Sequence, residues 1–202
     1  MNDTYKTIAA SSEEVLYKDR NSKFFAYAFP VKTEEAIKEH IETLKKQHHN
    51  ARHWCYAWQL GTSQLHFRAN DDGEPNNSAG QPIYRQIQSF DLTDILVVVV
   101  RYFGGTKLGV GGLINAYGTA AQMSLEAAEI VEKTINEVFY ISFDYKDINS
   151  VMRIIKELQI EIEEQKMEMK CQMTLSVRKS DMKRTMAAFK NLYEVVVTKT
   201  EI

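Results

Sequence analysis

The spacing of apolar and polar residues predicts a chain built from short strands and helices. Alternating or continuous apolar runs, bounded by turn residues, predict strands at 13–19, 23–31, 53–60, 65–69 and 94–100. The last of these, "DILVVVV", is apolar almost throughout, so we expect a strand buried on both faces. Helical spacing predicts helices at 33–49, 79–90 and 111–131, the first of them capped by Thr33.

The pattern beyond residue 130 is more regular. It predicts strands at 134–145, 160–167, 168–179 and 193–202, with helices at 147–159 and 180–191. Asp147 and Ser180 stand where N-caps belong. The resulting order, βαββαβ, is that of ferredoxin-like domains, an arrangement that hosts many unrelated functions.

The distribution of three residue types predicts two domains. All nine glycines lie between Gly61 and Gly118, and all three prolines and all five histidines precede residue 83. We therefore place one domain at 1–130 and a plainer one at 131–202, both of ordinary domain size. The fold class that follows is α+β.

Composition narrows the functional classes. The 202 residues are 44% hydrophobic and 26% charged, and the formal net charge of -2 argues against a globally basic nucleic-acid binder. The first residues do not resemble a signal peptide, and the longest apolar run is too short to span a bilayer, so we expect a cytoplasmic protein without membrane contact. Cys55 and Cys171 have no neighbouring metal ligands, and we expect buried thiols.

The most conspicuous chemistry is in the glycine loop, residues 104–112 ("GGTKLGVGG"). A strand, a glycine-rich loop and a helix N-terminus form an anion site, although the spacing is neither a Walker A nor a dinucleotide fingerprint. Lys107 and Arg101 are candidates to bind a nucleic-acid phosphate together with the loop backbone. Alternatively, the glycines serve only positive φ angles and close packing. The loop glycines are Gly104, Gly105, Gly109, Gly111 and Gly112.

A second cluster is acidic. Asp71, Asp72 and Glu74 supply oxygen ligands of the kind that Mg²⁺ prefers, but their spacing is not that of an EF-hand. Asp-Asp-Gly-Glu-Pro is also strong turn chemistry, and we favour the turn. Ser78 lacks the preceding glycine of a G-x-S-x-G nucleophile.

A third cluster mixes basic and aromatic residues, as in binders of single-stranded nucleic acid. The alternative is a solvated helix end next to a strand whose aromatic face lies in the core. The basic members are Lys45, Lys46, His48, His49, Arg52 and His53, and the aromatic ones are Trp54, Tyr56 and Trp58.

Three segments together resemble the IMPACT family, in particular its two-domain bacterial members of the YigZ type: "HHNARHWCYAW", "DDGEPNNSAGQPI" and "VVVVRYFGGTKLGVGGLINAYGTAA". The resemblance implies a first domain like domain 2 of ribosomal protein S5 and domain IV of elongation factor G. It implies a ferredoxin-like second domain similar to domain V of that factor. Eukaryotic relatives are translation regulators that compete for the activator of a starvation-sensing kinase, and some bacterial members carry a peptidase label.

Our leading hypothesis is a non-catalytic cytoplasmic factor, without a cofactor, that binds RNA or the ribosome and modulates translation, with a possible protein partner in the translation machinery. The expected phosphate contacts are Arg101, Lys107 and the backbone of the loop glycines, supported by Arg52, His53 and Arg85. The alternatives are a metal-dependent hydrolase using Asp71, Asp72 and Glu74, and a protein-interaction module.

Overall fold

The structure is a computed structural model that describes residues 3–192 and 195–199. It has two compact units, one of residues 5–133 and one of residues 3–4 with the described residues from 134 onward. The strands are β1 (Thr4–Ile8), β2 (Val15–Asp19), β3 (Ser22–Pro30), β4 (His53–Leu60), β5 (His66–Asn70), β6 (Ile95–Tyr102), β7 (Ile130–Thr134), β8 (Asn136–Asp144), β9 (Glu161–Lys166), β10 (Lys170–Arg178) and β11 (Val196–Lys199). The helices are α1 (Glu34–Gln47), α2 (Gly80–Ser89), α3 (Gly109–Glu126), α4 (Ile148–Glu157) and α5 (Met182–Lys190).

The first unit contains a five-stranded antiparallel sheet in the order β2-β3-β6-β4-β5. Its central strand β6 is buried from Ile95 to Arg101, which confirms the expectation of a strand covered on both faces. Helices α2 and α3 cover one face and α1 covers the other. The α1 face buries Ile37, Ile41 and Leu44 of the helix against Tyr27, Trp58, Leu96, Val98 and Val100 of the sheet.

Helix α1 begins where the sequence predicts. The Thr33 Oγ1 accepts a hydrogen bond from the backbone N–H of Ala36 at 3.2 Å, so the predicted cap is confirmed. Acidic residues in the first turn and lysines in the last complement the helix dipole.

The second unit has the predicted order β8-α4-β9-β10-α5-β11, with an antiparallel sheet ordered β11-β8-β10-β9. A short 3₁₀ turn precedes each helix, and this changes the caps. Asp147 occupies an N-cap position without a side-chain capping bond. Ser180 lies inside the second turn and Asp181 takes the N-cap, so that prediction is wrong. The strand predicted at 193–202 lies partly outside the described residues.

Two strands were not predicted. β1 and β7 pair with each other in a small second sheet, and α3 ends at Glu126 rather than at 131 because β7 begins at Ile130. The backbone N–H of Ala9 donates to the carbonyl of Glu129, extending the same contact. In the part of the chain that the structure describes, no helix has the length and apolar character needed to cross a membrane.

Candidate nucleic-acid interface at the glycine loop

Strand register gathers several predicted site residues at one end of the five-stranded sheet. In that register Arg101, near the end of β6, lies opposite Phe24 of β3 and His53 of β4. The glycine loop begins two residues after β6 ends, so it starts at the same end of the sheet. Residues far apart in sequence therefore meet there.

Arg101 is buried, with 5% of its surface exposed. Its Nη1 donates to Glu74 Oε1 at 2.6 Å, and the hydroxyl of Tyr117 donates to the same oxygen at 2.8 Å. The guanidinium also lies 5.6 Å from the ring centre of Phe24 and 5.4 Å from that of Phe103. Because its charge is neutralised inside the fold, we remove Arg101 from the expected phosphate contacts.

The three acidic residues each contact a different structural partner. Glu74 is buried against Arg101, as described above. The Asp71 Oδ1 accepts from the backbone N–H groups of Ala79 and Gly80 at 3.0 and 2.9 Å. The Asp72 Oδ2 accepts from the backbone N–H of Trp54 at 2.7 Å. No group of three metal-ligating side chains converges among the described residues, and these contacts favour the turn interpretation over the metal-dependent hydrolase.

The buried nucleophiles beside this cluster are neutral. Burial raises the pKa of the Cys55 thiol and of the Tyr117 phenol. Cys55 and Cys171 are free and buried, as expected from the sequence. A thiol held protonated by burial is a poor nucleophile.

The N-termini of α2 and α3 differ in how their N–H groups are satisfied. α2 has no capping side chain of its own, but the Asp71 carboxylate reaches its first residues from eight positions upstream. α3 begins after Leu108 without a side-chain capping bond and without an acidic residue in its first turn. The positive end of the α3 dipole is therefore not compensated by such a group, which makes it the helix end suited to an anion.

Close packing excludes a side chain at one loop glycine and disfavours it at another. A Cβ on Gly104 would stand 2.1 Å from the backbone carbon of Asn21, and the Gly104 N–H donates to Ser22 Oγ at 3.2 Å. A Cβ on Gly112 would stand 3.0 Å from that of Leu108. Packing therefore accounts for these two.

The other three loop glycines are exposed. Gly105 and Gly109 have φ angles of +89° and +74°, in the left-handed region that favours glycine. Gly111 lies within the first turn of α3 without a positive φ, and a Cβ there would meet nothing within 4 Å. Neither backbone conformation nor packing explains Gly111.

The remaining predicted cations differ in their surroundings. Lys107 and Arg52 are exposed, and no ion pair or hydrogen bond of the described residues involves either. His53 is partly buried, and its Nδ1–H donates to the Asp72 carbonyl at 2.8 Å. Arg85 is exposed on α2, and no described hydrogen bond or ion pair connects it with the loop.

At the centre of the basic and aromatic cluster, the side chains are part of the core rather than of a nucleic-acid surface. His48 is 7% exposed, and burial lowers its pKa. The Tyr27 hydroxyl donates to Glu14, so His48 Nε2–H donates to the Tyr27 oxygen at 2.6 Å, and His48 Nδ1 accepts from the Tyr102 hydroxyl at 3.1 Å. His48 is therefore a neutral structural residue. The side chains of Trp54, Tyr56 and Trp58 pack in or against the core beneath α1.

Exposed apolar residues near the loop were missed by the sequence reasoning. Phe103, Val110 and Ile114 are 50%, 52% and 37% exposed. The aromatic pair that precedes the loop in "RYFGG" is the signal that was available for Phe103.

Comparison with known proteins adds a family to this geometry. The family pattern described as the Impact N-terminal domain matches residues 20–125. The Bacillus subtilis protein named IMPACT family member YvyE is 36% identical over 161 residues, covering 80% of this chain and 74% of its own. The Escherichia coli IMPACT family member YigZ is 32% identical over 152 residues, covering 73% and 74%. A crystal structure described only as a hypothetical protein aligns with a TM-score of 0.76 at 25% identity, over 100% of this chain and 99% of that one.

Proposed function

The chain belongs to the IMPACT family, and on that premise we propose that it is a cytoplasmic, non-catalytic factor that binds RNA or the ribosome and modulates translation. The proposed contact is between the glycine loop and a phosphate of the RNA backbone. The family resemblance supports a role in translation, because the eukaryotic relatives that the resemblance implies are translation regulators.

The observation that carries the proposal is Gly111. A glycine in a helix costs up to about 1 kcal/mol of stability relative to alanine. The fold has room for a Cβ at this position, so packing does not require glycine there. Close approach of a ligand to the backbone is the remaining physical use of glycine. The N–H groups of the first turn of α3 lie at the same place, without a side-chain cap.

Charge around the loop supports the same ligand. Lys107 is an exposed cation within the loop, and Arg52, His53 and Arg85 stay as proposed supporting contacts. His53 donates its Nδ1–H to the Asp72 carbonyl, so its Nε2 can donate to a phosphate only when the ring carries a second proton. The buried Arg101 takes a structural role instead.

The two units support the proposed relationship to translation factors. We propose that the first is like domain 2 of ribosomal protein S5 and domain IV of elongation factor G. We propose that the second is ferredoxin-like and similar to domain V of that factor, and its βαββαβ order with sheet order β11-β8-β10-β9 supports this. Superposition of each unit separately on those domains tests the assignment.

The function is tested by co-sedimentation with ribosomes across a salt series. If Lys107 contacts a phosphate, Lys107→Ala should weaken binding and lower the slope of log affinity against log salt by about one unit. Lys32→Ala is the matched control, because Lys32 is an exposed lysine beyond the other end of β3. Equal slopes for the two variants would refute the phosphate contact, and absence of wild-type binding at low salt would refute the function.

One observation favours a second candidate, a protein-interaction module. Val110 and Ile114 expose apolar surface on the first turns of α3, and clustered exposed apolar residues mark protein contacts. Apolar contacts strengthen or stay constant as salt rises, whereas phosphate contacts weaken. The same salt series therefore separates the two functions.

A further inference from the structure

A cavity beside the glycine loop has no role in the function proposed above. Its volume is about 360 Å³, and it is lined by Asn21, Lys23, Phe25, Tyr102 and Phe103. This volume lies within the range of pockets that hold small organic groups. Three of its five residues are aromatic.

The aromatic walls are held by the surrounding structure. The rings of Phe25 and Tyr102 meet edge to face, with centres 5.6 Å apart. Behind them, the His48 ring lies 5.3 Å from that of Phe25, and its Nδ1 accepts from the Tyr102 hydroxyl. The wall residues are therefore fixed from the protein side.

Phe103 is the exposed member of the three aromatic residues. The residue is 50% exposed, and the Arg101 guanidinium lies 5.4 Å from the centre of its ring. Arg101 is itself held by Glu74. The buried ion pair thus supports an aromatic ring that is open to solvent, and this gives Arg101 a positioning role.

The cavity and the glycine loop meet at Asn21. The Gly104 N–H donates to Ser22 Oγ, and the Gly104 backbone packs on Asn21, which lines the cavity. Lys23 at the cavity and Lys107 in the loop are both exposed cations. A ligand with an aromatic group next to a negative charge suits both places.

We propose that this cavity binds one base of a single-stranded RNA by stacking, while an adjacent phosphate of the same strand binds at the glycine loop. This inference rests on the proposed function and names its ligand. Base stacking on aromatic side chains, combined with cations along the backbone, is how single strands are bound without sequence preference. The Asn21 amide offers donors and an acceptor to a base edge.

The test compares two ligands of equal charge. Binding of a short oligoadenylate and of a ribose-phosphate chain of the same length without bases is measured by fluorescence anisotropy at low salt. We expect the oligoadenylate to bind the wild type about tenfold more tightly. Phe103→Ala should remove this difference. Phe67→Ala should keep it, since Phe67 is a similarly exposed phenylalanine on β5, stacked on Tyr84.

The outcomes distinguish failure of the base site from failure of the proposed function. Equal binding of the two ligands to the wild type would overturn the base site and leave the phosphate contact standing. A preference for bases that survives in Phe103→Ala would overturn the location of the site. Failure of the wild type to bind either ligand would overturn both this inference and the RNA-binding function on which it rests.

Discussion

Replacing Gly111 by alanine should make the protein more stable and its RNA binding weaker. The position is helical, without a positive φ, and an added Cβ meets nothing within 4 Å. Alanine is favoured over glycine in helices by up to about 1 kcal/mol, and Gly111 lies in the first turn, so we expect a gain of about 0.5–1 kcal/mol. For a domain of this size, that gain raises Tm by about 1–4 °C.

The binding loss follows from the same methyl group. It would stand over the N–H groups that we propose for the phosphate, and a hydrogen bond to a charged group contributes about 1.5–3 kcal/mol. The affinity for ribosomes should therefore fall by about ten- to a hundredfold. Thermal unfolding and co-sedimentation on the same preparations measure both effects.

Gly118→Ala is the matched control. Gly118 lies in the same helix, and a Cβ there would stand 3.8 Å from Gln86 Nε2 and 3.9 Å from Pro82 Cβ, ordinary contact distances. This variant should gain similar stability without losing affinity, because its side chain faces α2. Unchanged ribosome affinity in Gly111→Ala would refute the reasoning, and an equal loss in both variants would assign the effect to the helix rather than to the loop.

Three further variants and one metal titration test other contacts in the first unit. Gly104→Ala should lower the free energy of unfolding by about 1–3 kcal/mol in chemical denaturation, because its Cβ would overlap the backbone of Asn21; unchanged stability would contradict this. Asp71→Ala should lower the free energy of unfolding by about 1–2 kcal/mol, because it removes the acceptor at the start of α2. Mg²⁺, Mn²⁺ or Zn²⁺ should leave the wild-type Tm unchanged, and a metal-dependent rise would favour the hydrolase hypothesis instead. Burial lowers the pKa of His48 below its ordinary 6.5, so the unfolded chain binds the proton first and stability should fall as the pH drops below that value; in His48→Gln the fall should be smaller, and an identical pH profile would refute the assignment.

The sequence predicted the elements whose signals are local. β6 and α1 could be predicted because their signals, apolar spacing and a capping threonine, lie within short continuous segments. β1 and β7 were missed because "TYKTI" and "IVEKT" are short and mostly polar, and they become strands only by pairing across more than a hundred residues. The extension of α3 to 131 failed for the same reason.

The candidate site was predictable in its residue types and less so in their roles. The glycine loop and Lys107 could be singled out from the sequence, since loop, helix start and cation are contiguous. The burial of Arg101 could not, because its partner Glu74 is 27 residues away in a run that also suits a turn. The sequence indicated a turn at Asp71 but not which helix its carboxylate would cap.

The place of β6 in the sheet has a consequence for synthesis of the chain. It is the central strand, yet it is the last of the five to be made, so the β2–β3 and β4–β5 hairpins emerge from the ribosome first, with β3 and β4 as open edges. Unpaired edges attract other chains. At about 5–20 residues per second, the β4 edge waits about 2–8 s for β6 and the β3 edge about 4–14 s. The nascent first unit is therefore exposed to mispairing during that interval, and insertion of β6 between the two hairpins ends it.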